Sequence, residues 1–402
     1  MEQLISAALQ SHPAITAQQA QLRSANASVN AANWQYYPTP SIAIERASAK
    51  ASDSAYLGDG TVTTARLQQP LWTGGRLTAG LRKAQAGVLL SQAALEEVRQ
   101  QLALRVVQSY GDWLAAYLRT QAFEQSFTTH TRLRDQVKRR IEQGISPDSD
   151  LILAASRLQS VGADIEVAQS QQDIALARLG QLLGRPIEDT VLRAALASPL
   201  PVTATAQQLL ALALASSPVL HKAQAQALIQ ETVVAERRAD LSPEVYLRVE
   251  HQAGNHAVAN TSAQNRLFVG LSSRLGAGLS SLSSIENARA QHQAALAEVD
   301  VQGRAVSEQV LADHVVVTSS GKRQRALSAS LEAAMQVSES YDRQFLAGRK
   351  TWLDVMNTAR ELTQTQVQIA DIQSAQTVAS WRLAINTQSI ASVLANDQGV
   401  RR

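Results

Sequence analysis

Apolar residues recur every three or four positions along two long stretches of the chain, residues 75–141 and 278–345. Neither stretch contains a proline, and both are rich in Ala, Gln, Leu, Val, Arg and Glu, which are mostly good helix formers. In the first stretch the recurring positions are Leu95, Val98, Leu102, Val106, Tyr110, Trp113 and Tyr117. The spacing predicts an amphipathic helix packed along other helices. At about 1.5 Å per residue such a helix is roughly 100 Å long, which favours a rod or a tube over a compact enzyme.

Shorter regions change to period-two alternation, which predicts strands with two different faces. Val245, Leu247 and Val249 alternate with Tyr246, Arg248 and Glu250. We predict strands at about 40–48, 61–72, 244–252 and 264–275. The segments between paired strands are rich in Ser, Asp, Asn, Gly and Ala and are typical of exposed hairpin loops. Glycine turns, Gly74-Gly75 and Gly276-Ala277-Gly278, lead from the hairpins into the long helices.

The same order of features occurs twice, with a shift of 204 to 205 residues. LISAALQSHP at 4–13 corresponds to LLALALASSP at 209–218, and Gly144 and Asp150 correspond to Gly348 and Asp354. One shift held through so many positions indicates two structural repeats. We predict a first repeat at 1–183, an inter-repeat linker at 184–208, a second repeat at 209–390 and a C-terminal tail at 391–402. Helical hairpin tips are expected at about 144–150 and 348–354, each introduced by a helix-ending glycine.

Composition narrows the class of protein. The net charge is +3, and basic residues are interspersed with acidic ones, so we favour a solvated helical surface over a nucleic-acid interface. The absence of cysteine rules out disulfides and thiol chemistry. No stretch approaches 18 uninterrupted apolar residues, which excludes a transmembrane helix. The chain starts without a basic-then-apolar leader, so we expect either a cytosolic protein or a form that lacks its signal peptide.

Four strands cannot close into a barrel within one chain, and an open sheet leaves edges that aggregate. Closure requires further chains, and strands that alternate between apolar and polar positions suit a barrel with lipid outside and water inside. Five aromatic residues near predicted strand ends fit a membrane–water boundary or, equally well, a helix–strand junction: Trp34, Tyr36, Tyr37, Trp72 and Tyr246.

Three motifs resemble those of the TolC family of outer-membrane efflux and type I secretion channels. They are SHPAI at 11–15, QPLWTGGRL at 69–77 and GRKTWLDV at 348–355. Together with the duplication, the resemblance covers nearly the whole chain. It implies a mainly helical homotrimer with a membrane portion, in which a 12-stranded β-barrel continues into a 12-helix α-barrel.

The resemblance also implies roles for residues at the tips. Asp354 matches a position that projects an acidic ring into the pore, where carboxylates favour cations. The next position of that pattern is Asn357, so one acidic ring is expected instead of two. Asp150, Phe345 and Lys350 match positions that hold the periplasmic gate closed, with Lys350 and Asp150 as a partly exposed pair. Asp150 is equally well explained as a helix N-terminal residue. Gly144 and Gly348 mark the tip turns that contact a partner.

Enzyme chemistry is not indicated, since the histidines lack paired metal spacing and no phosphate loop or nucleophile elbow is present. No metal site or cofactor is expected. Two other classes stay open: a periplasmic adaptor, which the duplication disfavours, and a coiled-coil scaffold without a pore, which leaves the hairpins unexplained.

The favoured function is therefore an outer-membrane, periplasm-spanning exit duct of a tripartite export system in a Gram-negative cell. Type I protein secretion is slightly preferred, with multidrug efflux as the alternative. The expected partners are sister chains, a periplasmic adaptor (membrane fusion protein), an inner-membrane ABC or proton-driven transporter, outer-membrane lipid and the exported protein or small molecule. No nucleic acid is expected.

Overall fold

The helices of the chain recur as pairs of matching length. The computed structural model describes residues 1–50, 53–194, 196–273 and 280–388. It contains α1 (Glu2–Ser11), α2 (Pro13–Trp34), β1 (Thr39–Arg46), β2 (Thr61–Trp72), α3 (Arg76–Glu142), α4 (Asp148–Leu183), α5 (Asp189–Ala194), α6 (Ala206–Ser216), α7 (Pro218–Ala239), β3 (Glu244–Ala253), β4 (Gln264–Ser272), α8 (Ser280–Leu346) and α9 (Trp352–Thr387). Helices α3 and α8 each have 67 residues, and α4 and α9 each have 36. The predicted fold class, a duplicated β-hairpin followed by a long helical hairpin, is confirmed.

Local signals explain where these helices begin and end. Helix α1 stops at His12, whose extended backbone (ψ 127°) is the conformation favoured before Pro13. Helix α6 starts with a capping box, in which Thr205 and Gln208 satisfy each other's backbone amides. Helix α4 ends at Gly184 in the left-handed conformation. The linker that we predicted at 184–208 contains the short helix α5, which the sequence analysis did not anticipate.

The strands form one antiparallel sheet in the order β1-β2-β3-β4. Both hairpins were expected, and β2 and β3 join them in register, with Leu67 opposite Val249. Strands β1 and β4 lie at the two edges of the sheet. Three predicted segments fall outside the described residues: the turn Gly276-Ala277-Gly278, the end of the fourth strand at 274–275, and the tail at 391–402.

The chain forms two compact units, and each combines parts of both repeats. One consists of Met1–Ile15, Glu97–Ser217 and Arg304–Arg402; the other consists of Thr16–Glu96 and Pro218–Gly303 and contains the sheet. This division follows contacts and not repeat order, and the repeat boundaries at 1–183 and 209–390 stay a prediction. The division arises because α3 and α8 each contribute one part to each unit.

The first unit buries the central part of the predicted apolar stripe of α3, from Leu102 to Trp113. Val106 and Trp113 are fully buried and Tyr110 is 1% exposed. The Trp113 indole N–H donates to Asp189 (2.8 Å), and the backbone N–H of Ala197 donates to the Tyr110 hydroxyl (2.7 Å). Burial raises the pKa of Tyr110, and the hydrogen bond that its oxygen accepts from Ala197 opposes this shift. The inter-repeat linker is thus fixed to α3 by the polar ends of buried aromatic side chains.

Candidate functional site

The sheet has one apolar face, and that face is exposed. Leu67, Val249 and Leu267 lie side by side across β2, β3 and β4, and residues paired in register share a face. Val245 and Leu247 on this face are half-buried, and seven further large apolar residues are between 45% and 75% exposed: Ile42, Ile44, Leu67, Val249, Leu267, Val269 and Leu271. Soluble monomers rarely expose so much contiguous apolar surface, which indicates contact with lipid or with other protein.

The opposite face of the sheet is polar and charged. Arg66, Glu250 and Arg266 form one row across β2, β3 and β4, and Arg248 lies in the next row. Arg66 Nε donates to Glu250 Oε2 at 2.9 Å, and Arg248 Nε lies 3.8 Å from the same oxygen. The Arg248 guanidinium stacks on Phe268, 4.5 Å from the ring centroid. Alternation along β3 predicted a two-faced strand, but this cluster depends on pairing between strands and was not foreseen.

The predicted boundary aromatics occupy different environments. Trp34, Tyr37 and Trp72 are at least half exposed, and the Trp34 and Tyr37 rings lie 5.2 Å apart. Tyr36, 40% exposed, is positioned by hydrogen bonds, because its hydroxyl lies 3.3 Å from Thr78 Oγ1 and Gln69 donates to its backbone carbonyl. Tyr246 is half-buried over Gly270, its in-register partner, where the ring occupies the space that a side chain would need.

A single carboxylate, Asp59, ties the two hairpin loops together. It accepts the backbone N–H groups of Asn255 (2.9 Å) and Asn260 (3.0 Å) from the other loop. These hydrogen bonds lower the pKa of Asp59. The contact is therefore fully present above the ordinary carboxyl pKa and is lost as pH falls through the lowered value. Sequence analysis missed Asp59, since a loop aspartate carries no signal of a partner that lies almost 200 residues away.

Both helical hairpin tips use the same turn. Gly144 and Gly348 have positive φ values of 72° and 73°. The Gly144 N–H donates to Ile141 and the Ile145 N–H donates to Arg140, both at 2.8 Å, and the second tip repeats this pattern at Gly348 and Arg349. This arrangement satisfies the last carbonyls of each long helix and requires glycine at the left-handed position.

The helices that follow the two turns start differently. Helix α4 has Pro147 at its N-cap, without a side-chain cap, and carries Asp148 and the half-buried Asp150 in its first turn. This is the helix N-terminal placement that we considered for Asp150. Helix α9 has a capping box instead, in which the Thr351 N–H donates to the Asp354 carboxylate at 3.1 Å and the Asp354 N–H donates to the Thr351 hydroxyl oxygen at 3.3 Å. The Thr351 hydroxyl also donates to the Asp354 carboxylate, at 2.7 Å.

Asp354 is thus part of a cap as well as a candidate pore residue. The hydrogen bonds from the Thr351 hydroxyl and amide, with a smaller contribution from the Lys350 charge, hold the pKa of Asp354 below its usual value. Lys350 Nζ lies 4.0 Å from the Asp354 carboxylate and 4.2 Å from the Tyr341 ring centroid. Among the ion pairs of the described residues, Lys350 is paired with Asp354 and not with Asp150.

The other predicted tip residues divide between core and surface. Phe345 is 2% exposed and packs with Leu133, Trp352 and neighbouring apolar residues. The Arg140 guanidinium lies 4.7 Å from the Phe345 ring centroid and donates to the Phe345 carbonyl at 2.9 Å. Asn357 is exposed and lines a cavity of about 310 Å³ together with His130, Arg157 and Arg360. Phe345 therefore shapes the tip through packing, whereas Asn357 is accessible.

Two further observations concern the described residues alone. No group of three or more His, Asp or Glu side chains in that part of the chain is arranged to hold a metal ion. Among the helices that the structure describes, none is both long and apolar enough to cross a membrane.

Comparison with known proteins finds similarity to outer-membrane proteins. The family model described as outer membrane efflux protein matches residues 4–185. The chain is 26% identical over 316 residues to the alkaline protease secretion protein AprF of Pseudomonas aeruginosa, an alignment that covers 76% of this chain and 64% of AprF. This chain therefore spans less than two thirds of the length of that relative.

Solved structures share the fold at low identity. The match to CusC has a TM-score of 0.82 at 18% identity and covers 96% of this chain and 91% of CusC. The match to the outer membrane protein VceC from Vibrio cholerae has a TM-score of 0.81 at 17% identity and covers 96% and 95% of the two chains. The matched family and structures are outer membrane channel proteins, not enzymes. The sequence motifs, the duplicated fold and the match over residues 4–185, which span less than half of the chain, all indicate similarity to outer membrane efflux proteins.

Proposed function

We propose that this chain assembles as a homotrimer into a periplasm-spanning channel of the Gram-negative outer membrane, the exit duct of a tripartite export system. The observation that carries this proposal is the sheet with an exposed apolar face and a charged opposite face. A surface of this kind is stable when lipid covers one side and water the other. The exposed rings of Trp34, Tyr37 and Trp72 near the strand ends suit the membrane–water boundary.

The two free edges of the sheet support assembly with sister chains. Strands β1 and β4 leave backbone N–H and C=O groups unpaired along the sheet edges, and inside a membrane each such group costs several kcal/mol. Pairing β1 of one copy with β4 of the next removes every edge. Three copies then give the 12-stranded barrel and 12-helix barrel that the family resemblance implies.

The helical hairpin tips form the periplasmic entrance in this proposal. Asp354 supplies an acidic ring, and Asn357 leaves a second ring uncharged. Within one chain, Lys350 is paired with Asp354 and not with Asp150. The link between Lys350 and Asp150 that closes the gate is therefore proposed to form between neighbouring copies. Phe345 supports the gate by packing beneath it. The tip turns at Gly144 and Gly348 face the periplasmic adaptor.

Single-channel recording tests the entrance. Lys350→Ala and Asp150→Ala are expected to raise the conductance in planar bilayers, since each removes a link of the gate. Asp354→Asn is expected to reduce the preference for K⁺ over Cl⁻, measured from the reversal potential in asymmetric KCl. In the wild type, the preference should persist well into the acidic range and fall as pH drops through the lowered pKa of Asp354.

The Asn variant is a controlled change, because its side-chain oxygen still accepts the Thr351 hydrogen bonds that cap α9. Asp148→Asn removes a carboxylate from the other tip turn and should leave the reversal potential near the wild-type value. Equal reversal potentials in the wild type and Asp354→Asn would remove Asp354 from the pore, and unchanged conductance in both alanine variants would remove Asp150 and Lys350 from the gate.

Type I protein secretion is the favoured export pathway, supported by the likeness to AprF, whose name refers to alkaline protease secretion. Small-molecule efflux is the second candidate, supported by the description of the matched family. A cysteine at Ile145, in this otherwise cysteine-free chain, allows cross-linking at the tip in intact cells. Co-purification of an adaptor with an ABC transporter supports secretion, whereas a proton-driven transporter supports efflux.

A pore-free scaffold accounts for the long helices but not for the apolar sheet face. The need for detergent during extraction distinguishes the channel from the scaffold. The channel is expected in the outer-membrane fraction and requires detergent for extraction, whereas a scaffold is released in detergent-free buffer.

A further inference from the structure

The central rows of the polar face of the sheet contain more positive than negative charge. Arg66, Arg248 and Arg266, which we call the arginine belt, surround one carboxylate, Glu250. Glu250 is 7% exposed and is shared by Arg66 at 2.9 Å and Arg248 at 3.8 Å. One glutamate balances one of three guanidinium groups, so two positive charges per chain are left in excess at this level of the sheet.

Two of these arginines have unused capacity to bind anions. Arg266 donates to the neutral side chains of Gln252 (3.0 Å) and Gln264 (2.8 Å), and among the described residues no carboxylate forms an ion pair with it. Arg248 Nε is buried without a hydrogen-bond partner in that same part of the chain. A buried donor without a hydrogen bond costs free energy, and a charge-assisted hydrogen bond that the guanidinium donates to an oxyanion would recover it.

The remaining carboxylates of the polar face lie toward the ends of the sheet. Glu244 is bound by Arg76 at 3.1 Å. Ser41 on β1 is the in-register partner of Arg66, and Glu45 lies four residues further along β1. Glu45 is therefore about 13 Å along the strand from the row that contains Arg66. That separation exceeds the Debye length of about 8 Å at physiological ionic strength, so Glu45 neutralises the arginine belt only weakly.

We propose that the arginine belt is a binding site for multivalent oxyanions in the lumen of the channel. This inference rests on the proposed function, in which the polar face lines a water-filled pore. Three copies arrange the belt as a ring, and rings of arginine attract anions and phosphates. The planar guanidinium groups offer paired donors to phosphate or carboxylate oxygens. The belt thus retains polyanions during passage.

Tripolyphosphate is the probe for this site. Added to the side of a planar bilayer that bears the hairpin loops, it is expected to block the KCl current of the wild-type channel, with weaker block as ionic strength rises. Arg266→Gln should raise the half-blocking concentration by about tenfold. Each exposed charge pair raises the affinity for the anion a few-fold, and the substitution removes one such pair in each of the three copies. Arg266→Lys keeps the charge but loses the paired donors, so its half-blocking concentration should lie between those of the wild type and Arg266→Gln.

The glutamine variant keeps amide groups that can hydrogen-bond to Gln252 and Gln264, so its fold is expected to be retained; an unchanged trimer in size-exclusion chromatography checks this. A conducting wild-type channel without block, or equal block in the wild type and Arg266→Gln, would overturn the binding site. Absence of conductance would instead overturn the proposed channel. In that case, calorimetric titration of tripolyphosphate into the same detergent-solubilised protein still tests the binding site. A binding heat that is present in the wild type and absent in Arg266→Gln supports the arginine belt, and equal binding heats in both proteins contradict it.

Discussion

Ile42→Arg is expected to abolish assembly of the trimer in the outer membrane. Ile42 is 75% exposed on the apolar face of β1, where the account places lipid. An arginine facing lipid near the membrane midplane costs about 2–4 kcal/mol, or roughly 6–12 kcal/mol in a trimer. That cost is comparable to the whole folding free energy of a typical domain. Heat-resistant oligomer in outer-membrane fractions, measured by gel electrophoresis without boiling, should be lost.

The neighbouring residue provides the matched control. Ala43 lies on the opposite, polar face of the same strand, in register with Thr64 and two residues from Glu45. Ala43→Arg places the same arginine side chain on the water-facing side of the sheet and should leave the oligomer at wild-type abundance. If both variants assemble equally well, the apolar face does not contact lipid.

Gly111→Ala is expected to destabilise the first unit by about 2–4 kcal/mol, the sum of overpacking and a strained hydrogen bond. A Cβ atom at this position would lie 2.1 Å from a methyl group of Val378, on α9. Valine has little rotamer freedom in a helix, so α3 and α9 must separate. Ser374, which is buried and donates to the Gly111 carbonyl at 2.7 Å, would lose this contact. Guanidinium unfolding followed by circular dichroism measures the loss.

Two further variants test whether the clash with Val378 causes the destabilisation. Gly162→Ala changes a helical glycine in the same unit where the new Cβ meets only a Phe127 ring carbon, at 3.8 Å. It should be neutral or stabilising by up to about 1 kcal/mol, as for a helix-interior glycine. Adding Val378→Ala to Gly111→Ala removes the clashing methyl group and should recover part of the stability. Equal destabilisation by Gly111→Ala and Gly162→Ala would show that the close approach of α3 and α9 is unimportant.

The sequence predicted the elements well because their signals are local. Proline-free runs with a three-to-four-residue apolar period specify α3 and α8, and Gly144 and Gly348 specify their ends. Alternation in β3 predicted its two faces. The capping box of α9 was also readable, since Thr351 and Asp354 have the Ser/Thr-x-x-acid spacing. We interpreted Asp354 only through the family resemblance and therefore overlooked its structural role.

Contacts between distant segments could not be predicted in this way. The need for glycine at 111 is set by Val378 on another helix, 267 positions along the chain. Likewise, Asp59 is defined by amides of the second hairpin loop, and the arginine belt by the register of β2, β3 and β4. The partner of Lys350 was expected to be Asp150, but Asp354 lies one helical turn away and competes for it within the chain.

Cross-linking of the sheet edges tests the central claim most directly. The chain has no cysteine, so Ser41→Cys in β1 can be combined in turn with a cysteine at Gln264, Arg266 or Phe268 in β4, all on the polar face. Paired antiparallel residues have Cα atoms about 4.5–5.5 Å apart, within disulfide range. Oxidation of native membranes is expected to give a covalent ladder that ends at three chains for at least one pair, while each single-cysteine variant stays uncross-linked. Failure of all three pairs to cross-link, or a ladder that ends at two chains or continues beyond three, would contradict the account.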